Sequence, residues 1–176
     1  LKKMYLLMEK QHNRGQDGAG IANIKLDTPP GSRYISRKRS VNQRPLKEIF
    51  DSINSRFEEL IRENPIESKD PYWLKANAPF SGELFLGHLR YGTHGKNNIE
   101  NCHPFLRLNN WKTRNLVLAG NFNLTNVDEL FNILVDIGQH PKERTDTVTV
   151  MEKIGHFLDI ENQELFDQFK EQGHSN

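Results

Sequence analysis

The apolar positions of this chain change rhythm several times, and each rhythm marks an element. Leu1, Met4, Leu7 and Met8 fall at helical spacing, which predicts that residues 1–11 form the end of a helix. The glycine-rich run Asn13-Arg14-Gly15-Gln16-Asp17-Gly18 stops it. Ala22, Ile24 and Leu26 then alternate as a strand. Asp27-Thr28-Pro29-Pro30-Gly31-Ser32 reads as a turn, and Tyr34 to Lys38 returns as an antiparallel partner. Pro45 opens a helix at its first position. Leu46, Ile49, Phe50, Ile53, Phe57, Leu60 and Ile61 form its apolar stripe, and Asn64-Pro65 ends it. Residues 65–80 hold three prolines and little periodicity, so a long loop is expected there.

Glu83 to Arg90 is apolar on both faces in its first half and predicts a central strand. Asn115 to Ala119 reads as a further buried strand. Thr125 and Asp128 have the spacing of a capping box. The helix behind them carries Val127, Leu130, Phe131, Leu134 and Ile137 and stops at Gly138. Thr145 or Asp146 caps another helix bearing Val148, Met151, Ile154 and Leu158. A separate acidic amphipathic segment follows over 161–171. Hairpin-type strands and helices in separate blocks predict an α+β fold rather than a βαβ repeat.

Composition narrows the function classes. The length, 176 residues, suits one domain. A net charge of +1 argues against a dedicated nucleic-acid or membrane surface. The single cysteine leaves no internal disulfide framework and fits a reducing, cytoplasmic setting. No apolar run is long enough to span a bilayer, and residues 1–10 lack a signal-peptide pattern.

The residues with chemical potential cluster in three places. Arg90 ends a strand before a glycine-containing turn, where a guanidinium can fork onto a carboxylate. Thr93 and His94 follow within one turn and add donors for the same group. Asn121 lies between a strand and a helix, where a side-chain amide plus the next backbone N–H can form an oxyanion hole. Asp146 stands at a helix start, where capping alone favours an acid. Its functional reading is a grip on a substrate ammonium. Cys102 beside His103 invites a nucleophile reading, but adjacent residues of an extended segment point to opposite faces. A packing role is therefore expected for Cys102. His88, His94, Cys102 and His103 match no compact zinc spacing, so no metal is expected.

His12-Asn13-Arg14-Gly15-Gln16-Asp17-Gly18-Ala19-Gly20, the run around Arg90, Asn101-Cys102-His103-Pro104-Phe105, the run around Asn121 and Thr145-Asp146-Thr147 occur in one order. Together they resemble the glutaminase domain of the class II glutamine amidotransferases, and most nearly its amidophosphoribosyltransferase branch. The resemblance implies an N-terminal-nucleophile hydrolase, a four-layer αββα sandwich. It implies a thiolate at the mature N-terminus that attacks the glutamine side-chain amide. The α-amino group there, with an ordinary pKa of about 7.7–8.0, would manage the proton. By the same resemblance Arg90, Thr93 and His94 bind the glutamine α-carboxylate and Asp146 its α-ammonium. Asn121 and the Phe122 N–H form the oxyanion hole, and Arg14 and His103 shape the pocket. No cofactor is implied for the glutaminase domain. Ammonia would pass to a C-terminal phosphoribosyltransferase domain of the same polypeptide, which would hold Mg2+ with phosphoribosyl pyrophosphate for purine biosynthesis. A homo-oligomer is the expected assembly.

The sequence departs from the family pattern in four places. The N-terminal Cys-Gly strand is not present, so residues 1–176 by themselves are expected to be inactive. Phe122 stands where the family has glycine between two asparagines. The 65–80 loop is longer than usual. The later sandwich strands and the phosphoribosyltransferase domain are also lacking. Residues 1–176 are thus expected to be a partial glutaminase domain, incomplete at both ends. Two alternatives stay open: another class II amidotransferase of the hexosamine-phosphate, glutamate or asparagine synthase type, and a non-catalytic amino-acid-binding module that keeps Arg90 and Asp146.

Overall fold

Strand β1 (Gly18–Ile24) runs antiparallel to β2 (Ile35–Ser40) on one side and to β3 (Leu84–Arg90) on the other. The computed structural model describes residues 1–92, 98–141 and 143–174. Among these the chain forms two units, residues 1–104 and 105–176, and the fold is α+β with small sheets.

In the first unit one sheet face carries Ala19 and Ile21, both fully buried against two helices. Helix α1 (Lys2–Lys10) contributes Met8, and α2 (Pro45–Glu63) contributes Leu46, Ile49, Phe50 and Ile53. Burying a side chain of this size stabilises by about 1.5–3 kcal/mol. Ile61, at the far end of the expected stripe, is instead exposed. Asn23, also fully buried on β1, donates to the Gly82 and Leu84 carbonyls at 3.0 and 2.8 Å and accepts the Gly82 N–H at 2.8 Å. It ties the approach to β3 onto β1.

Three expectations for this unit need correction. The strand begins at Gly18 rather than Ala22, because Gly18 pairs with Arg90 of β3 and Ala19 to Ile21 pair on both sides. Among the described residues β1, not β3, is the central strand of this sheet. The 65–80 stretch is not a plain loop: Asp70 accepts the Tyr72 N–H at 3.0 Å and Pro71 opens α3 (Pro71–Asn77). Buried Lys25 donates to the Ala76 carbonyl at the end of α3, a tertiary contact that no local pattern reveals.

In the second unit β4 (Phe105–Arg107), which the hydrophobic pattern did not signal, pairs antiparallel with β5 (Leu116–Leu118). β5 is half-buried rather than buried. Phe105, Leu116 and Leu118 meet Val148 and Met151 of α5 (Asp146–Glu171). The two helical segments expected over 145–171 are one continuous helix, since no glycine, proline or cap separates them at 158–161. Arg107 reaches across α5 to Glu152 at 3.3 Å and Asp159 at 2.5 Å. Gly155 makes the crossing possible, because a Cβ there would collide with the Arg107 side chain. Helix α4 (Val127–Asp136) starts at Asn126 without a side-chain cap, so the Thr125–Asp128 capping box does not form. It ends at Gly138, whose φ of +85° lets the Gln139 N–H reach the Leu134 carbonyl. Ile137 and Ile154, expected on buried faces, are exposed. No helix among the described residues is long and apolar enough to cross a membrane.

Candidate functional site

Strand register assembles the polar face of the first unit. Gly18 lies opposite Arg90, Gly20 opposite both His88 and Arg39, and Ala22 opposite Arg37. Directly opposed residues share a face, so a glycine floor is flanked by two arginines from β2 and by His88 and Arg90 from β3. The segment 98–104 lies in this trough. Gly20 is needed there, since a Cβ would strike the His103 carbonyl.

Three guanidiniums clasp that segment by its backbone. Arg90 donates to the Asn98 carbonyl at 3.3 Å, Arg39 to Cys102 at 2.8 Å and Arg37 to Pro104 at 3.3 Å. The His103 ring lies against His88 with centroids 4.4 Å apart and planes tilted by 46°. Burial, then the charges of His88, Arg39 and Arg90, pushes the His103 pKa down to about 4. Burial lowers His88 too. Both imidazoles are therefore neutral at neutral pH. Arg90, expected to meet a carboxylate, is 6% exposed. Arg14 is exposed on the turn that precedes β1.

Cys102 is fully buried, its Sγ 3.3 Å from the Ala19 carbonyl. Burial raises its pKa, with Arg39 and Arg90 opposing. A neutral, enclosed thiol is a packing group. Thr93 and His94 lie outside the described residues. Among those described, no three His, Cys, Asp or Glu side chains form a group that could hold a metal ion.

The second unit holds the other predicted residues. Asn121 is exposed just after β5, and Phe122 is half-buried with its ring against Gly120. Among the described non-glycine residues only Asp27 and Phe80 have positive φ. Phe122 thus offers its N–H from an ordinary backbone conformation, without the freedom a glycine would bring. Thr145 caps α5 by accepting the Val148 N–H at 3.3 Å. Asp146 is thereby spared capping, and its Oδ2 accepts the Leu124 N–H at 2.9 Å. Asp146 so fastens the segment that follows Asn121 and Phe122.

These local arrangements coincide with a family match that runs from residue 9 to residue 171, to the model described as "Glutamine amidotransferases class-II". The chain belongs to the class II glutamine amidotransferases. Among curated class II relatives, the amidophosphoribosyltransferase of Archaeoglobus fulgidus is 29% identical over 88% of this chain. The glutamine–fructose-6-phosphate aminotransferase (isomerizing) of Clostridium perfringens is 27% identical over 81%. The amidophosphoribosyltransferase of Lacticaseibacillus casei is 27% identical over 85%. The chain spans 26%, 18% and 61% of these relatives. No solved structure matches the chain significantly.

Several residues of this amidotransferase domain escaped the sequence reading. Arg37 and Arg39 stand in no motif; only the register and their bonds to the Pro104 and Cys102 carbonyls show that they turn toward 98–104. His88 gains its neighbour the same way. Asp17 was visible within the Arg14–Gly20 motif, but its partner, Gly92, is 75 residues away.

Proposed function

We propose that this chain is the glutamine-hydrolysing domain of an amidophosphoribosyltransferase in purine biosynthesis. The observation that carries the reading is the family match over 9–171, joined to the 29% identity with the archaeal amidophosphoribosyltransferase across 88% of the chain. In this reading the complete domain is the four-layer αββα sandwich of N-terminal-nucleophile hydrolases. An N-terminal cysteine thiolate, not among these residues, attacks the glutamine amide carbon. Ammonia leaves, and water releases glutamate.

This chain's own residues bind and orient. The Arg90 guanidinium takes the glutamine α-carboxylate, with Thr93 and His94 as added donors, and Arg14 and His103 shape the pocket. The Asp146 carboxylate takes the α-ammonium. The Asn121 amide and Phe122 N–H donate to the oxyanion that develops during attack. The domain itself needs no cofactor. Mg2+ belongs with phosphoribosyl pyrophosphate in a C-terminal phosphoribosyltransferase domain of the same cytoplasmic, homo-oligomeric enzyme.

The second reading is the hexosamine-phosphate branch, favoured by the 27% identity to the clostridial aminotransferase. Full-length protein supplied with glutamine and either phosphoribosyl pyrophosphate with Mg2+ or fructose 6-phosphate separates the two. Pyrophosphate release is expected with the first acceptor. Amino-sugar formation with the second would replace the reading, and no glutamate from either would favour a non-catalytic amino-acid-binding module.

A further inference from the structure

Asp17 holds the arginine-bearing end of β3 from both sides. Its backbone N–H donates to the Arg90 carbonyl at 3.1 Å, and its Oδ2 accepts the Gly92 N–H at 2.7 Å. The second bond is charge-assisted and correspondingly short. Two residues upstream, Gly15 lies against the backbone of Leu89 and Arg90; a Cβ there would be 2.7 Å from the Leu89 carbonyl carbon. Residues 15–17 therefore run along the last residues of β3.

The β1–β3 ladder ends at the Gly18–Arg90 pair. Beyond it β3 has no strand partner on β1, and the Asp17 carboxylate fixes the direction in which the chain leaves. On the far side, Arg90 itself donates to the Asn98 carbonyl. Asp17 thus fastens Gly92 while Arg90 fastens Asn98. Asp17 is exposed, lies outside the core cluster and caps no helix. Packing and capping leave its charge unexplained.

We propose that Asp17 is a positioning residue for glutamine recognition, acting through the Gly92 N–H to hold the Arg90 end of β3 in the geometry that receives the α-carboxylate. The proposal rests on the reading of Arg90 as the carboxylate grip. A neutral acceptor of the same shape keeps the bond but weakens it, whereas removing the acceptor releases Gly92.

The test uses full-length protein, with glutamine Kd by calorimetry and kinetics by glutamate release. Asp17→Ala is expected to raise KM and Kd for glutamine roughly tenfold, with kcat within about threefold of the wild type. Asp17→Asn is expected to recover most of the loss. A merely structural role predicts the opposite split, a lower active fraction and melting temperature at unchanged KM, and would overturn the proposal. Should Asp17→Ala fail to fold, Asp17→Asn and Asp17→Glu replace it. The longer acid displaces the acceptor and should raise KM more than the amide does; equal KM values would overturn the proposal. Arg90→Ala separates the two claims. If Arg90→Ala loses glutamine affinity and Asp17→Ala does not, the role of Asp17 fails alone. If neither does, the reading of Arg90 fails with it.

Discussion

The Asp146 carboxylate accepts the Leu124 N–H at 2.9 Å, so the acid at the start of α5 fastens the segment three residues after Asn121. Thr145 performs the capping that would otherwise explain an acid there. Asp146→Asn keeps an acceptor oxygen, while Asp146→Ala removes it. The alanine variant should be less stable than the asparagine variant by about 1 kcal/mol, read from urea unfolding. Both variants should lose glutamine affinity if the charge meets the ammonium. Equal stabilities would show that the Leu124 bond carries no weight.

Gly155 should not tolerate alanine. Within a helix interior, glycine to alanine normally gains about 0.8–1 kcal/mol. Here the methyl group would displace Arg107 from Glu152 and Asp159. Overpacking and a disturbed, partly buried ion cluster should outweigh the propensity gain, for a net loss of about 2 kcal/mol. Chemical denaturation measures this; a stabilised variant would show that Arg107 moves aside freely.

The trough should make the protein acid-sensitive. The His103 pKa falls from its ordinary 6.5 to about 4 on folding, so between those values the unfolded chain binds more protons than the folded one. Stability from this group is complete above pH 6.5 and is lost as pH falls through about 4. The loss is about 3 kcal/mol in all. Melting temperatures across pH 3.5–7.5 should decline less steeply for His103→Gln than for the wild type. His88, lowered in the same way, leaves some of the decline in place.

Cys102 should be chemically silent. Its side chain is fully buried and its thiol is held neutral by burial. A thiol reagent should label it only as the protein unfolds. Cys102→Ala should leave glutamate release by the full-length protein within about twofold, since a neutral buried thiol does little nucleophilic work. Rapid labelling of the folded protein would show that the 98–104 segment opens.

Much of the fold was legible because local rules governed it. Pro45 and the stripe from Leu46 to Ile53 defined α2, Thr145 defined the start of α5, and Gly138 ended α4. Local rules failed where a distant partner decided the outcome. The three residues of β4 are too few to show a period. Helix α3 is short, and its C-terminal end meets Lys25, 51 residues away. The start of β1 at Gly18 exists only because Arg90 of β3 pairs with it.

The candidate site divides along the same line. By itself the sequence singled out the candidate side chains, since Arg90, Asn121 and Asp146 stand in ordered motifs whose residue types suit a zwitterion and an oxyanion. Only the tertiary structure decided what each of them touches. Strand register turned Arg37, Arg39 and His88 toward the 98–104 segment, and the closeness of Asp17 to Gly92 and of Asp146 to Leu124 arose from packing. A hydrogen bond requires proximity in space, and the one-dimensional pattern encodes that only where partners are a few residues apart.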